Sequence, residues 1–194
     1  MKAVLMSIHP NWCVKIKHII GQKDENPIYE KSVEIRKTRP KMKTPFKCYI
    51  YCTRGYVSPD TDVFAKGWCG YVIGEFVCDE IIKISKKDLQ ENFRRLTKDI
   101  IIPSCLSVQE LKDYLGFNDG YGWHISDLVI YEQPKELREF SVFAKNGCPA
   151  YLNGVCVEKN HRLSLYFRCE NLDCQHKKLT KPPQSWCYVT EKIE

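Results

Sequence analysis

Glycine and proline are sparse in this chain, ten of each among 194 residues, which excludes a collagen-like or low-complexity polymer. No apolar run approaches the roughly 20 residues of a membrane-spanning helix. The opening Met1-Lys2-Ala3-Val4-Leu5-Met6 meets polar Ser7 and His9 at once, too early for a signal peptide, so the sequence reads as a cytoplasmic protein with no membrane partner. The eleven cysteines include no Cys-x-x-Cys pair, and their number is odd. Cys13, Cys48, Cys52, Cys69 and Cys78 sit in apolar segments where a thiol packs as a small hydrophobe, so a disulfide scaffold is not expected. There is no internal repeat and no regular alternation of strand and helix patterns, which argues against a solenoid or a doubly wound sheet.

Charge is present and unevenly placed. Lys plus Arg outnumber Asp plus Glu by 30 to 24, a net of +6 that favours an anionic partner, nucleic acid before membrane. Residues 31–47 hold Lys31, Arg36, Lys37, Arg39, Lys41, Lys43 and Lys47 against Glu34 alone, which is a local net of +6. Residues 159–181 hold Lys159, Arg162, Arg168, Lys177, Lys178 and Lys181 against Glu170 and Asp173, a local +4. The intervening 48–158 is net −4, from twelve basic and sixteen acidic groups. A charged run is often only a solvated face. The proline and the missing apolar periodicity in Arg36-Lys37-Thr38-Arg39-Pro40-Lys41-Met42-Lys43 instead suit an exposed loop that follows phosphates.

Local patterns predict the elements. Residues 2–8 read as a strand, and Pro10 opens a helix with Trp12, Ile16, Ile19 and Ile20 on one face, stopping at Gly21. Residues 22–29 are a polar loop, 32–36 a short alternating strand and 46–53 a stronger strand. After a loop over 55–67, residues 68–84 read as one long strand bent at Gly70 and Gly74. Ser85 with Asp88 and Ser107 with Glu110 mark two helix starts. Residues 123–131 and 184–189 are further strands. Five or six strands with three short helices predict an α+β fold on a small, strongly bent sheet or barrel.

Pro10-Asn11-Trp12 at a helix start, Gly21 at its stop, Lys31-Ser32-Val33-Glu34-Ile35-Arg36 after a loop and the later Tyr121-Gly122-Trp123-His124-Ile125 together resemble the ASCH domain of the PUA-like superfamily. Its signature is Gly-x-Lys-x-x-Glu-x-Arg after a first helix. Lys31, Glu34 and Arg36 match, whereas Gly21 stands farther from Lys31 than the family's glycine does. The ending, Thr180 to Val189, resembles ASCH proteins encoded by phages and prophages. The resemblance covers residues 1–140 and 179–189, and it divides the chain into an ASCH domain (1–140 and 179–194) and a cysteine-rich insertion (141–178). It implies a PUA-like pseudo-barrel of about five to six strands with flanking helices, a cleft lined by the signature residues, and binding of RNA or a modified nucleobase.

The chemistry of these residues suits that role. In an extended segment Glu34 and Arg36 share a face, and Lys31 joins them only from a bulge or a strand edge. A carboxylate between cations accepts from a base's amino group, and Arg36, with Lys37 and Arg39, suits phosphate. Trp12, Trp123 or Trp186 would stack on a base, worth about 1–3 kcal/mol per base. The alternative is an internal Lys31–Glu34–Arg36 ion network that only fastens the fold, with the tryptophans as core.

Some ASCH-like proteins are nucleoside amidohydrolases that use a Lys, a Thr three residues later and a distant Glu. Here Glu34 stands where the hydroxyl belongs, and Ser32 and Thr38 are at the wrong spacing, so that mechanism is not supported. A ribonuclease would draw on Lys31, Glu34 and His124, although His124 also reads as a structural histidine. Cys148, Cys156, Cys169 and Cys174, with His161 or His176 as substitutes, form a candidate structural zinc site whose alternative is free thiols. Three functions remain open: a binder of RNA or a modified nucleotide, an RNA-directed hydrolase, and a phage protein–protein adaptor.

Overall fold

The computed structural model describes residues 2–17, 31–56, 67–91, 93–116, 118–142, 151–152, 155–156, 161–162 and 178–191. The expected helix stop at Gly21, the polar segment 22–29 and most of the 55–67 loop lie outside these residues. So do Cys148, Cys169, Cys174 and His176, while Cys156 and His161 are opposed partners in a short antiparallel pair. No helix among the described residues is long and apolar enough to cross a membrane.

The strands are β1 (Lys2–Ile8), β2 (Val33–Arg36), β3 (Phe46–Cys52), β4 (Val72–Cys78), β5 (Ile81–Ile84), β6 (Gly120–His124), β7 (Ser126–Lys135), β8 (Phe140–Val142), β9 (Tyr151–Leu152), β10 (Val155–Cys156), β11 (His161–Arg162) and β12 (Trp186–Glu191). The helices are α1 (Pro10–Lys17), α2 (Asp88–Glu91), α3 (Phe93–Leu96), α4 (Ile102–Ser104) and α5 (Val108–Leu115), with a π-turn at Thr97–Ile101 between α3 and α4. One sheet runs β7-β4-β3-β1-β12-β8, a second runs β2-β6-β5, and β9, β10 and β11 form a third.

This α+β arrangement corrects the expected architecture in three ways. The six-stranded sheet ends on β7 and β8, which do not pair with each other among the described residues, so the sheet is not closed into a barrel. The expected strand 68–84 is two strands in different sheets, separated by a turn at Asp79 and Glu80, and 123–131 likewise divides at Ile125. Apolar runs carry through both breaks because each segment is buried where the chain passes from one sheet to the other, and periodicity cannot mark such a crossing. Finally, β1 and β3 pair in parallel, with α1 and β2 between them in sequence, so one crossover unit exists within a mostly antiparallel fold.

Three apolar layers follow from these sheets. Val4, Met6, Ile50, Ile73 and Phe76 of the six-stranded sheet pack with Trp123 of the β2-β6-β5 sheet and with Cys13 and Ile16 of α1. Leu5, Tyr49, Val72, Phe140 and Val189 cover the far face of the six-stranded sheet. Val33, Ile35 and Ile84 of the three-stranded sheet pack on Leu89, Leu96, Leu111 and Leu115 from the helices. Being buried on both faces explains why β1 reads Ala-Val-Leu-Met-Ser-Ile without alternation. It also corrects the alternation expected of β2, whose four residues are all buried.

The local signals hold where they depend only on neighbours. Ser107 accepts from the Glu110 amide at 3.1 Å and Glu110 Oε2 accepts from the Ser107 amide at 2.7 Å, a complete capping box. Ser85 and Asp88 make the equivalent reciprocal pair at the start of α2. Gly74 sits at a register shift between β4 and β7, where a Cβ would run into the Val129 carbonyl oxygen.

Candidate nucleic-acid interface

Lys31 and Ser32 precede β2 and are held from two sides: the Lys31 amide donates to the Lys15 carbonyl of α1 at 3.2 Å, and the Ser32 amide donates to the Pro103 carbonyl of α4 at 2.8 Å. Because Lys31 lies before the strand, it escapes the strict alternation and its side chain returns to Glu34. Lys31 Nζ lies 3.2 Å from Glu34 Oε2 and donates to the Ser104 carbonyl at 2.9 Å. Arg36 Nη2 lies 2.9 Å from Glu34 Oε1 and donates to the Ser7 carbonyl at 2.7 Å. Arg36 Nη1 reaches Ser185 Oγ at 3.4 Å. All three charged residues are buried, at 2%, 7% and 5% exposure for Lys31, Glu34 and Arg36, so each must find its partners within the fold.

The hydrogen-bonding capacity of this network is not exhausted. Glu34 Oε2, Arg36 Nε and Trp123 Nε1 are buried without a hydrogen-bond partner, as is Asn11 Oδ1 on α1. Lys31 lies within ion-pair range of Glu34 Oε2, but off the direction of a hydrogen bond, so that oxygen has charge compensation and an open acceptor site. Glu34 and Trp123 are directly opposed between β2 and β6 and therefore share a face. Trp123 is fully buried, edge-on to Phe46 at 5.7 Å and tilted against Trp186 at 5.9 Å.

Around this centre stands a cation and aromatic rim. The Trp12 ring has Lys15 Nζ at 4.5 Å and Lys31 Nζ at 5.0 Å from its centroid. Lys37, Arg39, Lys41 and Lys43 are all exposed, as the composition of the loop predicts. Their loop is fastened at two points: Trp186 Nε1 donates to Thr38 Oγ1 at 3.0 Å, and the Lys41 amide donates to Tyr188 Oη at 2.7 Å. Lys37 stands 5.3 Å from the Tyr114 ring and Arg39 5.9 Å from the Tyr121 ring. The basic loop thus lies along an aromatic row rather than waving free of the fold.

The chain is similar to the ASCH protein of Zymomonas mobilis. A tyrosine-to-phenylalanine mutant of that protein shares 20% identity at a TM-score of 0.47, over 71% of this chain and 77% of that one. The unsubstituted ASCH protein gives 20% and 0.45, over 70% and 73%. No family model matches the sequence, and no curated protein matches it.

Of the residues singled out in the sequence, Lys31, Glu34, Arg36 and Trp123 come together at one centre, with Trp12 at its side through Lys31. Trp186, Lys37 and Arg39 belong to the rim. His124 does not join Glu34. Opposed to Val33, it lies on the other face of β6, and its Nδ1 is 2.7 Å from Asp79 Oδ1. Burial works to raise the Asp79 carboxyl, but its hydrogen bonds to His124 and to backbone amides outweigh burial and hold it below its ordinary value. Among the described residues no group of three or more His, Cys, Asp and Glu side chains is placed to hold a metal. Sequence reasoning missed Ser7, Ser104 and Ser185, whose carbonyl or hydroxyl oxygens receive the buried cations, and Tyr114, Tyr121 and Tyr188 along the loop. An oxygen acceptor supplied from distant segments leaves no local signal. Tyr121 stood in the Tyr-Gly-Trp-His-Ile segment and Tyr188 in the ending, but neither sequence position marked its ring as lying beside the basic loop.

Proposed function

We propose that this chain is an ASCH-type, PUA-like protein that binds RNA, or a modified nucleobase within it, at a basic cleft around Lys31, Glu34 and Arg36. The observation that carries the reading is the set of buried polar atoms left unpartnered on the neighbouring strands β2 and β6: one carboxylate oxygen of Glu34 and two N–H donors, Arg36 Nε and Trp123 Nε1. A network whose only task is to fasten the fold gains by satisfying such atoms, since each one left open costs about 1–3 kcal/mol. One acceptor flanked by donors complements the edge of a base that offers an amino group beside a ring nitrogen or carbonyl. Lys37, Arg39, Lys41 and Lys43 then take phosphates, and Trp12 and Trp186 are the stacking surfaces. The proposed structural zinc at Cys148, Cys156, Cys169 and Cys174 is a separate element of this reading, to be checked by metal analysis of the purified protein.

Fluorescence anisotropy of labelled single-stranded RNA against the purified protein tests the reading. Binding weakens with salt, and the double charge reversal Lys37→Glu/Arg39→Glu lowers the salt slope by about 1.4, at about 0.7 per single-strand phosphate contact. Glu34→Gln abolishes competition by free nucleosides while leaving the salt slope unchanged. The RNA is recovered intact. RNA cleavage that depends on Lys31 or Glu34 would replace binding by hydrolysis, and salt-independent or absent binding would end the proposal.

A further inference from the structure

Three thiols meet at the end of β3 that the proposed binding site does not use. Cys13 comes from α1, Cys52 ends β3 and Cys69 lies in the turn before β4. The Cys13 thiol contacts the Ile8 carbonyl at 3.6 Å, and Ile8 is the parallel-strand partner of Cys52. The turn carrying Cys69 is tied to the same residue, because the Gly70 amide donates to the Cys52 carbonyl at 2.8 Å and the Cys52 amide donates to the Tyr71 carbonyl at 2.9 Å. The turn needs glycine at position 70, where φ is +95° and a Cβ would approach the Arg54 guanidinium to 2.8 Å. These backbone contacts bring Cys13 and Cys69 beside Cys52, close enough for their thiols to interact electrostatically with its own. Cys13 is fully buried, Cys52 is buried and Cys69 is partly exposed.

We propose that Cys52 and Cys69 form an oxidisable thiol pair that closes to a disulfide by exchange with a low-molecular-weight disulfide of the glutathione class. Cys69, the one a solute can reach, is held above its ordinary pKa, first by burial and then by Cys52, so it attacks the external disulfide through its minor thiolate fraction, forming a mixed disulfide and releasing one thiolate. The Cys52 thiolate then attacks the Cys69 sulfur, forming the Cys52–Cys69 bond and expelling the second thiolate. The two protons given up by Cys52 and Cys69 end on the two released thiols, and the two protein sulfurs are oxidised as the external disulfide is reduced. The hydrogen bond from Cys13, followed by that from Cys69, holds the Cys52 thiol below its ordinary pKa against the opposing effect of burial, which suits it to the resolving step. Cys13 is held well above its ordinary value, first by burial, and remains a donor rather than a partner.

The whole chain, reduced and then exposed to oxidised glutathione, is quenched, alkylated and mapped by peptide mass spectrometry. The expected product is a peptide pair linked through Cys52 and Cys69, with the two thiols lost from the alkylatable set and restored by dithiothreitol. In Cys52→Ser the glutathione remains on Cys69, and in Cys69→Ser neither linkage nor adduct appears at Cys52. Cys69→Ser alters a partly exposed turn position, and the mapping of the unsubstituted protein decides the question even if Cys52→Ser does not fold. The proposal is overturned if Cys69 stays alkylatable, if Cys52 is found linked to Cys13, or if the adduct on Cys69 persists in the unsubstituted protein as it does in Cys52→Ser.

Discussion

Replacing Glu34 by glutamine removes one negative charge from a site that holds two buried cations. The exposures of Lys31 and Arg36, 2% and 5%, leave them no route to water without local unfolding. Each keeps one strong acceptor, the Ser104 carbonyl at 2.9 Å and the Ser7 carbonyl at 2.7 Å, so the loss is partial rather than complete. Removing one partner of a buried ion pair costs about 3–5 kcal/mol. The amide oxygen of glutamine still accepts from Arg36, which places the expected loss near the lower end, about 3 kcal/mol. For a chain of this length that corresponds to a fall in Tm of about 6–12 °C. Urea unfolding of Glu34→Gln and of the unsubstituted protein measures it, with an unchanged m-value as the check that the native state is intact. A double-mutant cycle with Lys31→Met then isolates the pair, and a coupling of about 1 kcal/mol or more is expected. A loss below about 1 kcal/mol, with no coupling, would refute the reasoning, because it would mean that water already compensates both cations.

Four further outcomes follow from the packing. Ser107→Ala removes a helix cap at α5 and lowers stability by about 1 kcal/mol. Glu110 in that cap is held below its ordinary value of 4.5 by hydrogen bonds to the Ser107 backbone and side chain. Its contribution is therefore present above pH 4.5 and lost as pH falls through the depressed folded value, so the stability difference between the unsubstituted protein and Glu110→Gln should vanish in acid. Gly74→Ala drives a Cβ into the backbone of β7 and should cost about 1–3 kcal/mol in thermal unfolding, whereas a side chain at Gly67, with open space around it, should be neutral. Cys78 is pushed up to about 12, first by burial and then by Asp79, and Cys187 to about 11 by burial. Both should resist alkylation at neutral pH until the protein is unfolded, and labelling of either in the native state would contradict these environments.

How much of the molecule was legible can be judged element by element. Both reciprocal caps were visible because the hydroxyl and carboxylate that make each one stand only three residues apart in the sequence. The bend at Gly74 was visible because a glycine within an apolar strand marks a bulge or a close approach. The division of 68–84 between two sheets was not visible, since burial on both sides of a crossing looks the same as burial along one strand. His124 was associated with Lys31 and Glu34 by residue type, but strand register turned it to the other face, toward Asp79.

The sequence by itself determined the caps, the exposed basic loop at residues 37–43, the proximity of Glu34 and Arg36 on one strand face, and the requirement that Lys31 stand off the strand to reach them. These depend on alternation, helical spacing and charge, all of which act over a few residues. Only the tertiary structure decided that the three charges are buried, because their remaining acceptors come from Ser104, 73 residues from Lys31, and Ser185, 149 residues from Arg36. It decided in the same way that the Trp123 and Arg36 donors stay open and that Cys13, Cys52 and Cys69 share one corner. Such partners are set by how strands from distant parts of the chain stack around a common core, and a local pattern carries no record of what will lie opposite it.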